Sequence, residues 1–133
     1  MNITNEYQVT IESFTERHFI RTFAKKYKGA WDTTLDFLLA EFKFIDALFF
    51  KNTAEYISDR NAGIVICKTE FKIAGTQESR HGSGNRCIVA IHKNTNKICV
   101  LLVYCKNDLG SGNETTNWKR IIKENYPEYS NML

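Results

Sequence analysis

Four residues in the second half of the chain carry side chains suited to phosphoryl chemistry: His81, Arg86, Tyr104 and Lys106. Metal-free displacement at a phosphodiester needs an activated nucleophile, charge stabilisation on a pentavalent phosphorane, and a proton for the leaving oxygen. Charge stabilisation is commonly the largest of these terms. Arg86 suits it, because a guanidinium can grip two phosphate oxygens at once. Lys106 and Lys72 would add positive charge near the same phosphate. A proton-transfer group must lie within hydrogen-bond reach and change charge near neutrality, which favours histidine. His81 is preferred to His92, which sits beside a distal turn. Tyr104 could serve if nearby cations lower its pKa. The glycines around His81 would let Arg80 and His81 close over a bound nucleotide, leaving Lys72, Arg80, Arg86 and Lys106 as the phosphate-binding set.

A hairpin must position these residues. Two apolar runs, Cys87–Ile91 and Ile98–Tyr104, flank the polar segment Lys93–Lys97, a strand–turn–strand pattern. With the turn centred on Thr95, His92 faces Ile98, Ile88 faces Leu102 and Arg86 faces Tyr104. Side chains alternate faces along a strand, so Arg86, Ile88, Ala90 and His92 share a face with Leu102, Tyr104 and Lys106. A slip of one residue would disperse the cluster. Cys87, Cys99 and Cys105 fall on the opposite face.

The structural readings of the same residues are plainer. Arg86 could be a solvated strand-edge cation, Tyr104 a half-buried sheet aromatic, and His92 a hairpin surface residue. Asp108 reads as a strand end or turn cap rather than a metal ligand. Trp31 and Trp118 read as packing anchors.

The chain has 133 residues, enough for one domain (1–133) with a real core. Its aromatic content and single proline argue against disorder. No apolar run approaches a membrane span, and Met1–Glu6 lacks the basic and apolar regions of a signal peptide, so the expected location is the cytoplasm. The four cysteines, Cys67, Cys87, Cys99 and Cys105, show neither a C-x-x-C pair nor metal-ligand spacing. They read as free thiols acting as small hydrophobes, with no metal or other cofactor implied. Net charge is +3. Residues 64–108 hold 7 Lys/Arg against 3 Asp/Glu, while 1–63 hold 8 against 9 and 109–133 hold 3 against 3. A surplus confined to the hairpin region suits a phosphate-bearing partner, although Lys93 and Lys97 read as solvated turn lysines.

Along the chain, Tyr7–Ser13 alternates as a half-buried strand. Thr15 can cap a helix bearing Phe19, Phe23 and Tyr27 that ends near Gly29. Asp32 can cap a second helix, whose stripe runs through Leu35, Leu38, Leu39, Phe42, Ile45, Leu48 and Phe49. Phe37, Phe44 and Phe50 lie beside or off that stripe, either buried under a loop or exposed to dock a partner; the second is favoured. Residues 51–63 read as a loop with one helical turn around Ala54–Ile57. Ile64–Ile73 is a strand, Ala74–Asn85 a Gly/Ser-rich loop, and Asn113 caps a last helix with Trp118, Ile121 and Ile122, ended by Pro127. The expected fold is α+β: about four antiparallel strands packed on an N-terminal helical pair, with a C-terminal helix.

The segments Lys72-Ile-Ala-Gly75, Arg80-His-Gly-Ser-Gly-Asn-Arg86, Cys87–Ile91 and Leu101-Leu-Val-Tyr-Cys-Lys-Asn-Asp108 resemble the RelE/HigB-like toxins of bacterial type II toxin–antitoxin systems. The closing apolar strand with its Tyr-x-Lys-like end is the nearest match, and the element order agrees over nearly the whole chain. The resemblance implies a RelE-like fold and a metal-independent mRNA endoribonuclease, acting on mRNA that is in many relatives ribosome-bound. It also implies a cognate antitoxin, which Phe37, Phe44 and Phe50 would contact. The superfamily also includes gyrase-directed poisons and inert paralogues, so a non-catalytic, protein-binding member is the alternative. The chain departs from some relatives in its longer helical region and in lacking a secure counterpart to their C-terminal basic and aromatic residues.

Overall fold

A computed structural model of the chain describes residues 5–133. Residues 1–4, part of the stretch read above for a signal peptide, lie outside it. Five strands, β1 (Gln8–Ile11), β2 (Ala54–Tyr56), β3 (Ile64–Phe71), β4 (Asn85–His92) and β5 (Lys97–Cys105), form one sheet in the order β1-β5-β4-β3-β2. The helices are α1 (Ser13–Thr15), α2 (Arg21–Lys26), α3 (Ala30–Lys43), α4 (Ile45–Phe50) and α5 (Glu114–Asn125); a π-helical turn, Glu16–Ile20, joins α1 to α2.

The fold is α+β as expected, but the sheet is mixed. Strand β1 runs parallel to β5, with Val9 opposite Ile98, whereas β2–β3, β3–β4 and β4–β5 are antiparallel. Short connections force antiparallel pairing only among the later strands; β1 is followed by helices long enough to return the chain in either sense. The fifth strand, β2, replaces the helical turn expected at Ala54–Ile57. Its Tyr56 stacks on Phe49 with centroids 4.1 Å apart.

Helices cover both sheet faces. Phe23, Trp31, Leu38, Phe42, Ile45 and Leu48 pack with Cys67, Cys87, Val89, Ile98, Val100 and Val103 on one side. Trp118, Ile122, Tyr126 and Tyr129 pack with Ile66, Ile88, Ala90, Leu102 and Tyr104 on the other. Double coverage explains why β4 is buried almost throughout and reads as a continuous apolar run rather than an alternating one.

Three helix starts can be compared with their sequence signals. Asn113 caps α5, its side-chain oxygen accepting from Thr116 N at 3.0 Å. Thr15 is no cap: it is buried, and its hydroxyl accepts from Val103 N at 2.9 Å, tying the first helical turn to β5 just past the parallel ladder. Asp32 lies in the first turn of α3, which begins after Gly29 at φ +81°, a conformation glycine adopts without steric cost. The apolar stripe expected to run through one helix is broken at Phe44 into α3 and α4.

Candidate functional site

The β4–β5 register decides where the chemistry-bearing side chains lie. Arg86 faces Tyr104 and Ile88 faces Leu102, as the sequence indicated, but His92 faces Lys97 instead of Ile98. The pairing jumps between Ile88 and Val89, leaving Leu101 as an extra residue in β5, a β-bulge. Leu101 and Leu102 therefore both pack against the α5 side. The bulge also turns Cys99 to that side, while Cys87 and Cys105 pack on the other. This corrects the placement of Cys99.

Beyond the bulge, Glu70, Arg86 and Tyr104 stand side by side on β3, β4 and β5. Arg86 is only 3% exposed. Its Nη1 lies 3.0 Å from Glu70 Oε2, and its Nε 3.9 Å from Glu114 Oε2. The guanidinium also donates to the carbonyls of Asn85 and His81, each at 3.2 Å. Arg86 is thus occupied, not an open fork awaiting a phosphate. A buried cation requires this much pairing, because desolvation costs several kcal/mol per ion.

Tyr104 is fully buried, and its hydroxyl donates to Glu114 Oε2 at 2.7 Å. Burial raises the phenol pKa above its ordinary value, and Glu114 reinforces the shift as hydrogen-bond acceptor and as negative charge. The lowering that would suit it to proton transfer does not occur. Glu114 is held below the usual carboxylate range: burial works to raise it, but the Tyr104 hydroxyl and Lys68, at 3.2 Å, outweigh burial, with help from Arg86.

His81 differs from both. Its side chain is 84% exposed, and its Nδ1 lies 2.6 Å from Glu70 Oε2, the same oxygen that takes Arg86. A carboxylate on Nδ1 fixes the ring and leaves Nε2 outward. His81, Glu70, Arg86, Lys68, Lys106 and Glu114 line one cleft of about 360 Å³ at the end of the sheet. Lys106 lies in a short 3₁₀ turn, Lys106–Asp108, just past β5. The turn is anchored by Lys106 N donating to Gly84 O at 2.8 Å. Gly84 has φ +78°, and a Cβ there would sit 3.3 Å from Lys106 Cγ, so glycine serves both conformation and approach.

The remaining candidates disperse. Arg80 is bound bidentately by Glu41, at 2.9 and 3.3 Å. Arg80 and Lys72 line a different groove with Phe37 and Leu38, so they do not join Arg86 and Lys106. The loop between β3 and β4 is tied down rather than poised to close. The Ser83 hydroxyl lies 2.6 Å from Phe71 O and accepts from Asn85 N at 3.0 Å, and Gly82 N donates to Ser79 Oγ at 2.9 Å. His92 is half-buried, with Nε2 2.9 Å from the Tyr129 hydroxyl. Phe37, Phe44 and Phe50 are exposed at 64%, 41% and 72%.

Glu70, Glu114 and Lys68 were absent from the sequence-derived site. Within the cleft, Glu55, Glu70 and Glu114 offset Lys68, Arg86 and Lys106, so the region's positive surplus is not an open basic patch here. Of the cleft's basic groups, the exposed ones that can meet a ligand are the His81 imidazole and the Lys106 ammonium, with Asn52 and Thr53 also on the lining. Among the described residues no group of three or more His, Cys, Asp or Glu side chains is placed to hold a metal ion, and no helix is long and apolar enough to cross a membrane.

Fold and cleft together define an α+β protein with a five-stranded mixed sheet and a His–Glu pair at one end. In comparisons with family models, curated proteins and solved structures, nothing matches the chain.

Proposed function

We propose that this chain is a metal-independent endoribonuclease of the RelE-like toxin kind, cleaving mRNA in the cleft between His81 and Lys106. The observation that carries the reading is the His81–Glu70 pair at 2.6 Å, held from behind by Arg86 and opening beside Lys106. An imidazole oriented by a carboxylate is the usual arrangement for accepting a proton from a hydroxyl. His81 Nε2 takes the 2′-hydroxyl proton as the 2′-oxygen bonds to phosphorus. The phosphorus–O5′ bond breaks, and the Lys106 ammonium, already neutralising the phosphate, supplies the proton to O5′. Arg86 acts through Glu70 as a positioning residue rather than by touching phosphate. The products are a 2′,3′-cyclic phosphate and a 5′-hydroxyl.

A cognate antitoxin fits the same reading. Phe37 and Phe50 expose more than half of their surfaces, and aromatic side chains of this kind anchor protein interfaces. The balanced charge of the cleft favours a second reading: a non-catalytic, protein-binding relative, either inert or directed against gyrase, that uses those phenylalanines alone.

The test compares wild type with His81→Gln and Glu70→Gln on purified RNA and on translating ribosomes, with chemical analysis of the new ends. Losing the proton acceptor is expected to cost about 10²–10⁴-fold in rate, and cyclic-phosphate ends should accumulate correspondingly more slowly than with wild type. Cleavage undiminished in a folded His81→Gln protein would sink the assignment. No cleavage of either substrate by wild type would leave the protein-binding reading.

A further inference from the structure

On the other side of the Lys106–Asp108 turn lies a second pocket, of about 280 Å³, lined by His18, Phe19, Thr22, Lys26, Tyr27 and Asp108. The turn is common to both sites: Lys106 faces the cleft, and Asp108 faces this pocket. The helical segment along it carries Arg17, Arg21, Lys25, Lys26 and Lys28, all exposed. None of these five takes part in an ion pair among the described residues. By contrast, Arg80, Arg86 and Lys68 are paired with carboxylates. Of the five, Lys26 lines the pocket itself, and the others extend along the same helical segment. The charge count concealed them, because residues 1–63 balance as a whole at 8 against 9.

We propose that this pocket is a nucleobase subsite for single-stranded RNA, holding a nucleotide next to the phosphate that lies in the cleft. The proposal rests on the ribonuclease reading for the cleft, but its own features point to a nucleotide. Single-stranded nucleic acid is bound by cations that follow the backbone and aromatic rings on which bases stack, and both are present. Tyr27 is partly exposed, with the Lys26 ammonium 5.3 Å from its ring centroid. A base entering the pocket stacks on that ring, while Lys26, on a flexible exposed stem, turns to the phosphate.

Asp108 sets which base is accepted. A carboxylate only accepts hydrogen bonds, so it favours a base edge rich in N–H donors. The Watson–Crick edge of guanine presents two adjacent donors, N1–H and N2–H. Uracil presents one donor between two carbonyl oxygens, which the carboxylate repels. The pocket therefore takes guanine in preference to uracil.

The experiment measures anisotropy of two fluorescein-labelled 2′-O-methyl hexanucleotides, UUGUUU and UUUUUU, with the full-length protein. Neither probe can be cleaved, so binding is read apart from turnover. The guanine probe should bind about fivefold tighter or more, and Asp108→Asn should remove the difference without weakening the all-uracil probe. Tyr27→Ala should weaken the guanine probe by about 5- to 150-fold, the range for one stacked base. Since Tyr27 also packs on Phe23, the exposed Asp108→Asn change carries the test if Tyr27→Ala fails to fold. Lys26→Ala and Arg21→Ala should each reduce the salt dependence by about one unit of slope. Equal affinity of wild type for the two probes, or a guanine preference that survives Asp108→Asn, overturns the proposal. Base-selective binding by a protein that cleaves no RNA would keep the subsite and end the ribonuclease reading. Cleavage without base-selective binding would do the reverse.

Discussion

The Tyr104 hydroxyl donates to the Glu114 carboxylate across 2.7 Å, joining the buried end of β5 to the first residue of α5. Because the ring is sealed from solvent, the bond acts on stability rather than on substrate. Tyr104→Phe keeps the packing and removes one donor from a carboxylate that still has Lys68. A hydrogen bond to a charged group is worth about 1.5–3 kcal/mol, so the urea midpoint should fall correspondingly while turnover per folded molecule stays near wild type. Lost turnover at unchanged stability would mean that the phenol reaches the substrate.

Arg86 invites the opposite misreading. If it met phosphate directly, Arg86→Ala would leave a folded, inactive protein. Its burial and its pairing with Glu70 instead make it part of the structure. Removing one partner of a buried pair typically costs about 3–5 kcal/mol, and Glu70, partly exposed, places the expected loss toward the low end. Arg86→Lys should not restore it, since an ammonium cannot reach Glu70, Asn85 O and His81 O together. Chemical denaturation checks this, and an Arg86→Ala protein as stable as wild type would contradict it.

The hairpin was legible because two apolar runs around a short polar turn admit little else, and Arg86 opposite Tyr104 followed from counting. The count held only at the far end, where the extra residue Leu101 compensates a turn one residue tighter than supposed. Two consecutive leucines in a buried strand carry no mark saying which is the bulge. Glu70 was missed because the loop from Ala74 to Gly84 leaves the β3–β4 register open, so its pairing with Arg86 cannot be counted across. Glu114 was within reach, since the Asn113 cap places it in the first turn of α5. Strand β2 was not: Ala54-Glu-Tyr56 has no strand pattern of its own and is held by Phe49 and the edge of β3.

The same contacts predict how stability depends on pH. Glu114 is depressed in the folded state, so its contribution is present above the ordinary value near 4.5 and lost as pH falls through the lower folded value. Tyr104, Tyr126 and Tyr129 are raised, burial being the main cause in each. Their contribution is complete below the ordinary value near 10 and is lost as pH rises beyond it. The urea midpoint should therefore fall on both sides of a broad plateau. Tyr104→Phe should flatten both limbs, because it removes a buried phenol and relaxes the depression of Glu114. An unchanged acid limb in that variant would show that Lys68 and Arg86, without the phenol, set the Glu114 shift.

The four thiols report on the bulge. Cys67 and Cys87 are buried, and burial pushes both thiol pKa values up, so they should resist iodoacetamide until the protein unfolds. Cys99 and Cys105 are half-buried on opposite sheet faces and should be modified slowly in the native state. Their flanks differ: Cys105 borders the pocket by Tyr27, while Cys99 lies under the C-terminal segment near Tyr129. Truncation before Tyr129 should therefore speed modification of Cys99 and leave Cys105 unchanged, as peptide mapping by mass spectrometry would show. If the truncation exposes Cys105 instead, or neither thiol, β5 has no bulge at Leu101. With the His92–Lys97 pairing kept, Arg86 would then face Val103 in place of Tyr104, and the carboxylate-and-cation cluster behind His81 would fall with that register.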